Sequence, residues 1–192
     1  MQTFYDKYRN PGKYSQCGEE GIINEALRRI NPTEKTAVEF GAPDWTYCSN
    51  TAHLAELGWS VRMYDFQPHD PRVEKIEITT ENINQVVGNP TVLSIDCDGP
   101  DAILWEAYEG TPAIVVIEID SSLKPSMYQQ PAKHNGPSYP VMVELGIKKG
   151  YFLLCHTGNC VFILNKYRDL FPEIIGDGLE NSELYFNKSH VR

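Results

Sequence analysis

The chain has 192 residues, 41% of them apolar and 22% charged, which suits one domain with a sizeable core and excludes a disordered or fibrous class. Its 26 acidic residues outnumber 17 basic ones, leaving a formal charge of −9 and no Lys/Arg-rich run, so its field opposes a phosphate backbone and disfavours nucleic acid as a partner. No apolar stretch approaches the roughly 18 residues of a membrane span, no secretory apolar region opens the chain, and five cysteines lack Cys-x-x-Cys spacing; a soluble cytoplasmic protein with reduced thiols is expected.

Strand-like and helix-like patterns alternate, which predicts an α/β fold built on a parallel sheet. After an amino-terminal segment (1–18), Ile22, Ile23, Ala26, Leu27 and Ile30 share one face of a predicted helix over 19–30 that Asn31-Pro32 ends. Strands are predicted over 36–40, 61–65, 74–79, 92–95 and 113–117, with helices over 50–57, 81–87, 100–108 and 139–149 between or after them. Segments 151–155 and 160–164 flank His156-Thr157-Gly158-Asn159 and read as an antiparallel hairpin. Seven strands, the last two antiparallel, make a Rossmann-like methyltransferase layout in a single domain spanning 1–192. The stretch 121–140 carries four prolines and follows an acidic strand end, so it is a candidate substrate loop. The tail, 169–192, is weakly patterned.

Two acid-x-acid pairs carry the chemistry. Asp96-Cys97-Asp98 and Glu118-Ile119-Asp120 each close an apolar run. Residues i and i+2 of a strand share a face, so parallel neighbouring strands would converge four carboxylates at one end of a sheet. Their repulsion requires a cation, a shared proton or a donor-rich ligand. Mg²⁺ or Mn²⁺ suits such oxygen ligands at Asp96, Asp98, Glu118 and Asp120, and would acidify a bound hydroxyl. Alternatively one acid serves as a general base with its pKa raised by its neighbours, and Asp98, before Gly99-Pro100, is also placed to cap a helix. His134, in the proline-rich loop, is a candidate base or acceptor-binding group.

Glu39-Phe40-Gly41 follows the first predicted strand; the glycine admits a ligand close to the backbone, and Glu39 is suited to a cationic amine. Asp65 ends the second strand, near the offset of about 20 residues at which an acid bonds ribose hydroxyls in Rossmann proteins. The three-glycine dinucleotide fingerprint is absent, which argues against NAD. These positions fit a nucleoside with a free ribose and an ammonium group.

Lys13-Tyr14-Ser15-Gln16-Cys17-Gly18-Glu19-Glu20-Gly21-Ile22-Ile23, Glu39-Phe40-Gly41 with Ser49-Asn50-Thr51, Leu57-Gly58-Trp59, Ile95-Asp96-Cys97-Asp98-Gly99 and Lys149-Gly150-Tyr151 together resemble the FkbM-like S-adenosylmethionine-dependent methyltransferases. The resemblance runs from Tyr14 to Arg168. It implies a Rossmann-like fold, S-adenosylmethionine as methyl donor, and a hydroxyl acceptor on a small molecule or glycan. By position it assigns Gln16, Glu39, Gly41, Asp65 and Asp96 to cofactor binding. The chain departs from that pattern at Trp45, where similar proteins place a small residue; an indole there is expected to crowd the methionine end of the ligand.

Asp96, Asp98, Glu118 and His134 are thus the catalytic candidates. Two rival readings remain: a metal-dependent nucleotide-sugar glycosyltransferase using Asp96-Cys97-Asp98 as its acid pair, and an inert Rossmann-like binding or assembly protein. The sequence sets no oligomeric state.

Overall fold

The computed structural model describes residues 3–131, 136–180 and 182, and within them the alternation of the sequence is an α/β sandwich around one seven-stranded sheet. β1 (Thr36–Phe40) lies between β2 (Ser60–Asp65) and β4 (Val92–Ile95), parallel to both. β3 (Glu74–Lys75) pairs parallel with β2, and β5 (Ile114–Glu118) pairs parallel with β4. β7 (Asn159–Leu164) runs antiparallel between β5 and β6 (Tyr151–His156), giving the order β3-β2-β1-β4-β5-β7-β6. The expected mostly parallel, Rossmann-like sheet with its carboxyl-terminal hairpin is therefore present.

The strands read as continuous apolar runs because helices cover both faces of the sheet. Every residue of β4 is buried, as are Ile114 to Ile117 of β5. Helix α2 (Glu19–Ile30) buries the predicted stripe Ile22, Ile23, Ala26, Leu27 and Ile30, and Asn31 ends it in the left-handed region at φ 47°, donating its N–H to Leu27 O.

Two boundaries move for identifiable reasons. The strand expected over 74–79 stops at Lys75, because its partner β2 ends at Asp65; Ile76 N–H donates to Asp65 O and the chain then leaves the sheet. Helix α3 (Ala52–Glu56) starts later than residue 50, since the Asn50 and Thr51 amides are held by Glu39. The remaining helices, α4 (Ile83–Val87), α5 (Asp101–Ala107) and α6 (Tyr139–Lys148), fall within their predicted spans.

The chain's two ends contribute more order than their patterns suggest. Thr3 and Asp6 form a reciprocal capping box on helix α1 (Phe4–Tyr8), an element not predicted. The Arg29 guanidinium lies 5.1–5.5 Å from the ring centres of Phe4, Tyr8 and Phe171, and bonds Glu173. Phe171 and Ile174 are buried and Tyr139 donates to Gly178 O, so residues 169–180 pack onto the domain. All five cysteines are unbridged, including the buried Cys155 and Cys160. No helix among the described residues is long and apolar enough to cross a membrane.

Candidate functional site

The sheet order reverses direction between β1 and β4: from β1 the chain winds outward through β2 and β3, then returns to start β4 on the other side. In open α/β sheets a crevice opens at the carboxyl ends of the strands at such a switch point. Here it is a cleft of about 760 Å³, in the size range of small-molecule sites. Gly41 and Pro43 after β1, Asp65 to Gln67 at the end of β2, and Asp96 to Asp98 after β4 form its floor. Residues 76–80, displaced from the sheet edge, form one wall, and Pro100, Ile103 and Leu104 form another. The result is a mostly apolar slot with carboxylates at its base.

Gly41 sits at φ 84°, and a Cβ there would lie 1.5 Å from the carbonyl oxygen of Asp96. Only glycine lets the β1 loop press onto the β4 loop this closely. Its N–H donates to Tyr64 O, and Asp96 N–H donates to Phe40 O, both at 3.1 Å, so the three strand ends are locked together around Asp96. Asp65 is only 7% exposed; its Oδ1 accepts from Gln67 N–H at 2.7 Å, which turns the chain, and the residue lines the cleft.

The β4–β5 register pairs Ile95 with Ile117, which brings Asp96 beside Glu118 one step further along. Asp96, Asp98 and Glu118 each place an oxygen within 4.8 Å of the others. Burial, followed by the charges of Asp101, Asp98 and Glu39, pushes the Asp96 carboxyl above the usual range. Burial and the Asp96 charge push Glu118 higher still, and the two side chains hydrogen-bond to each other. Both shifts run in the direction that favours retention of a proton by the pair. Mg²⁺ or Mn²⁺ fits the same three oxygens chemically, in place of that proton.

Three expectations about these acids need correction. Asp98 does not lie beside Asp96 as a strand neighbour: β4 ends at Ile95, and Asp98, exposed at φ 54°, is turned back toward the cleft by a left-handed loop. Nor does Asp98 cap α5. No side chain caps that helix; its first residue, Asp101, is fully buried and instead holds the preceding loop, accepting from Cys97 N–H at 2.6 Å and Gly99 N–H at 2.9 Å. Asp120 stands outside the cluster; its Oδ1 accepts from the Ser122 amide and hydroxyl, closing the turn after β5, so it is not a metal ligand with the other three.

Glu39 is likewise not free to meet a cofactor amine. It is 2% exposed, and its carboxylate accepts from Ser49 Oγ (2.6 Å), Asn50 N (2.8 Å), Thr51 N (3.1 Å), Thr51 Oγ1 (2.6 Å) and Ser94 Oγ (3.3 Å). A carboxylate offers about four lone-pair positions, and these donors fill them. Glu39 therefore builds the loop that carries Gly41 rather than touching a ligand. Gln16 is exposed in the loop before α2 and is not among the cleft-lining residues. His134 lies outside the described residues. Trp45 does not line the cleft: it packs beside Met63 and Val73 with the Arg72 guanidinium 5.3 Å over its ring, so it does not crowd the site.

The structure adds Asp101, Phe66, Ile78 and Ile103, which sequence reasoning missed. Asp101 had a legible signal, an acid two residues after Gly99 at a helix start; the apolar wall had none, because Ile78 belonged to a predicted strand. Comparison of the sequence with protein-family models and with curated proteins finds no match.

Proposed function

We propose that the chain is an S-adenosylmethionine-dependent methyltransferase that methylates a hydroxyl on a small molecule or glycan. The observation that carries this reading is the joint placement of Asp65 and Asp96 in one cleft at the sheet's switch point. The seven-stranded order agrees with the fold that the resemblance implies.

The residues present fit the cofactor. Asp65 is anchored through one oxygen, leaving the other for ribose hydroxyls; the slot between residues 76–80 and Ile103 offers apolar surface for a base. When bound, the cofactor supplies an electrophilic methyl on a sulfonium; transfer breaks that S–C bond, forms an O–C bond and leaves a neutral thioether. The chain's contribution is position and proton removal. Asp96, fixed by Phe40 O and the contact with Gly41, accepts the acceptor's hydroxyl proton; burial and the charges of Asp101, Asp98 and Glu39 raise its basicity toward the range useful near neutral pH, while Glu118 hydrogen-bonds to it and holds it in place. Mg²⁺ or Mn²⁺ at Asp96, Asp98 and Glu118 is a second reading, supported by their convergence, in which the ion would acidify the hydroxyl.

Calorimetric titration with S-adenosylmethionine and S-adenosylhomocysteine tests the proposal, with a UDP-sugar plus Mn²⁺ as the comparison. Micromolar adenosyl binding supports it. A folded sample that binds only the UDP-sugar supports the glycosyltransferase, and one that binds none supports the inert assembly protein. With an acceptor in hand, loss of turnover in chelator separates the ion from the shared proton.

A further inference from the structure

A phosphate group is held in α/β proteins by unpaired loop amides and helix N-termini at the carboxyl edge of the sheet. In this chain each loop at that edge gives its amides to a carboxylate of its own. After β1, Asp44 Oδ1 accepts from Thr46 N (2.8 Å) and Tyr47 N (3.2 Å), while Glu39 takes Asn50 N and Thr51 N. After β2, Asp65 takes Gln67 N; after β4, Asp101 takes Cys97 N and Gly99 N; after β5, Asp120 takes Ser122 N. Several of the amides that could cradle a phosphate are thus engaged within the fold.

The side chains facing the cleft point the same way. Asp65, Glu77, Asp96 and Asp98 line it, and none of its described lining residues is Lys or Arg. Glu118 adds a further acid beside Asp96. The Asp96–Glu118 hydrogen bond offsets part of this charge, but Asp98 and Glu77 are exposed at the cleft, where the only basic side chain among the described lining residues is His69.

We infer that the cleft discriminates by charge: it takes a phosphate-free adenosyl ligand, and holds the cationic sulfonium form in preference to the neutral thioether left after transfer. The inference rests on the methyltransferase reading and extends it to selectivity and product release. An anion entering the cleft meets carboxylates and no lining Lys or Arg, whereas a cation is attracted. Loss of the sulfonium charge on transfer removes that attraction, so product leaves more readily than substrate.

The test is equilibrium titration of the full chain with adenosine, ADP, S-adenosylmethionine and S-adenosylhomocysteine in metal-free buffer at low and high salt, repeated with Asp98→Asn. Asparagine tolerates the left-handed conformation at this position, and the side chain is exposed, so the variant isolates the charge. ADP is expected to bind at least about tenfold more weakly than adenosine, and the sulfonium about three- to tenfold more tightly than the thioether. Both the salt increase and Asp98→Asn should narrow the second ratio. ADP binding as tightly as adenosine, or thioether binding as tightly as sulfonium at low salt, would overturn the inference while leaving the methyltransferase reading intact. Absence of binding by every adenosyl compound would overturn both.

Discussion

Glu39 and the Asp96–Glu118 pair occupy adjacent strands at the same end of the sheet, yet their surroundings are opposite. Glu39 is enclosed by five donors from the loop after β1 and from Ser94, so its charge is met from within. Asp96 and Glu118 face chiefly each other and Asp98, and this unmet charge pushes both carboxyls above the usual range. An acid at a strand end is therefore structural or functional according to the donors folded around it, a property invisible in the residue itself. Removing the carboxylate in each place should have opposite consequences.

Glu39→Ala is expected to give the largest effect. It strands three hydroxyls and two amides in a buried site, and losing such a network costs about 3–5 kcal/mol. At 2–4 °C per kcal/mol for a chain of this size, thermal unfolding should shift downward by roughly 6–20 °C. A shift below about 2 °C would show that the loop is held by other contacts.

Glu118→Gln should do the reverse for stability while reducing turnover about tenfold, because Asp96, the proton acceptor, stays and only the side chain that holds it is changed. Both carboxyls have raised pKa values, so the folded state binds more protons than the unfolded one. That excess begins at about pH 4, where ordinary carboxylates titrate, and persists up to the pair's raised range. Stability consequently falls as pH rises through this window. Urea unfolding between pH 5 and 8 in metal-free buffer should show the fall in the parent and a flatter profile in the variant. Equal slopes would mean that the pair holds no extra proton.

The sheet was legible because both of its faces are covered, which leaves β4 and β5 as uninterrupted apolar runs, and because α2 keeps a regular stripe. The end of β3 was not legible, since it depends on where the neighbouring strand stops, and Glu74 to Thr79 carries no mark of that. At the site, the adjacency of Asp96 and Glu118 followed from two apolar runs that each end in an acid. The fates of Glu39, Asp98 and Asp120 did not follow, because each is decided by loop amides that periodicity does not describe. The place of Trp45 was not legible either: it packs on the small cluster around Met63 with Arg72 over its ring and is not among the cleft-lining residues.

A smaller effect is expected from Asp65→Ala, which removes a ribose partner without opening a core cavity. Adenosyl affinity should fall about tenfold, near 1.4 kcal/mol, with thermal stability little changed because the only internal bond lost is that to Gln67 N. Unchanged affinity would remove Asp65 from the site.

Trp45→Ala should have the smallest effect on the ligand and so gives the sharpest test of the geometry. The indole contacts the cluster containing Met63 and Val73, with Arg72 over its ring, and is not among the cleft-lining residues. Its truncation loses an exposed cation–π contact of about 0.5–1 kcal/mol together with some apolar packing, so the unfolding midpoint should drop by a few degrees. Adenosyl affinity should stay within about twofold, since the backbone that fixes Asp96 runs through Gly41 and Phe40 O rather than through this side chain. A gain in affinity on truncation would instead show that the indole reaches the methionine end of the cleft in solution, restoring the crowding that the sequence suggested.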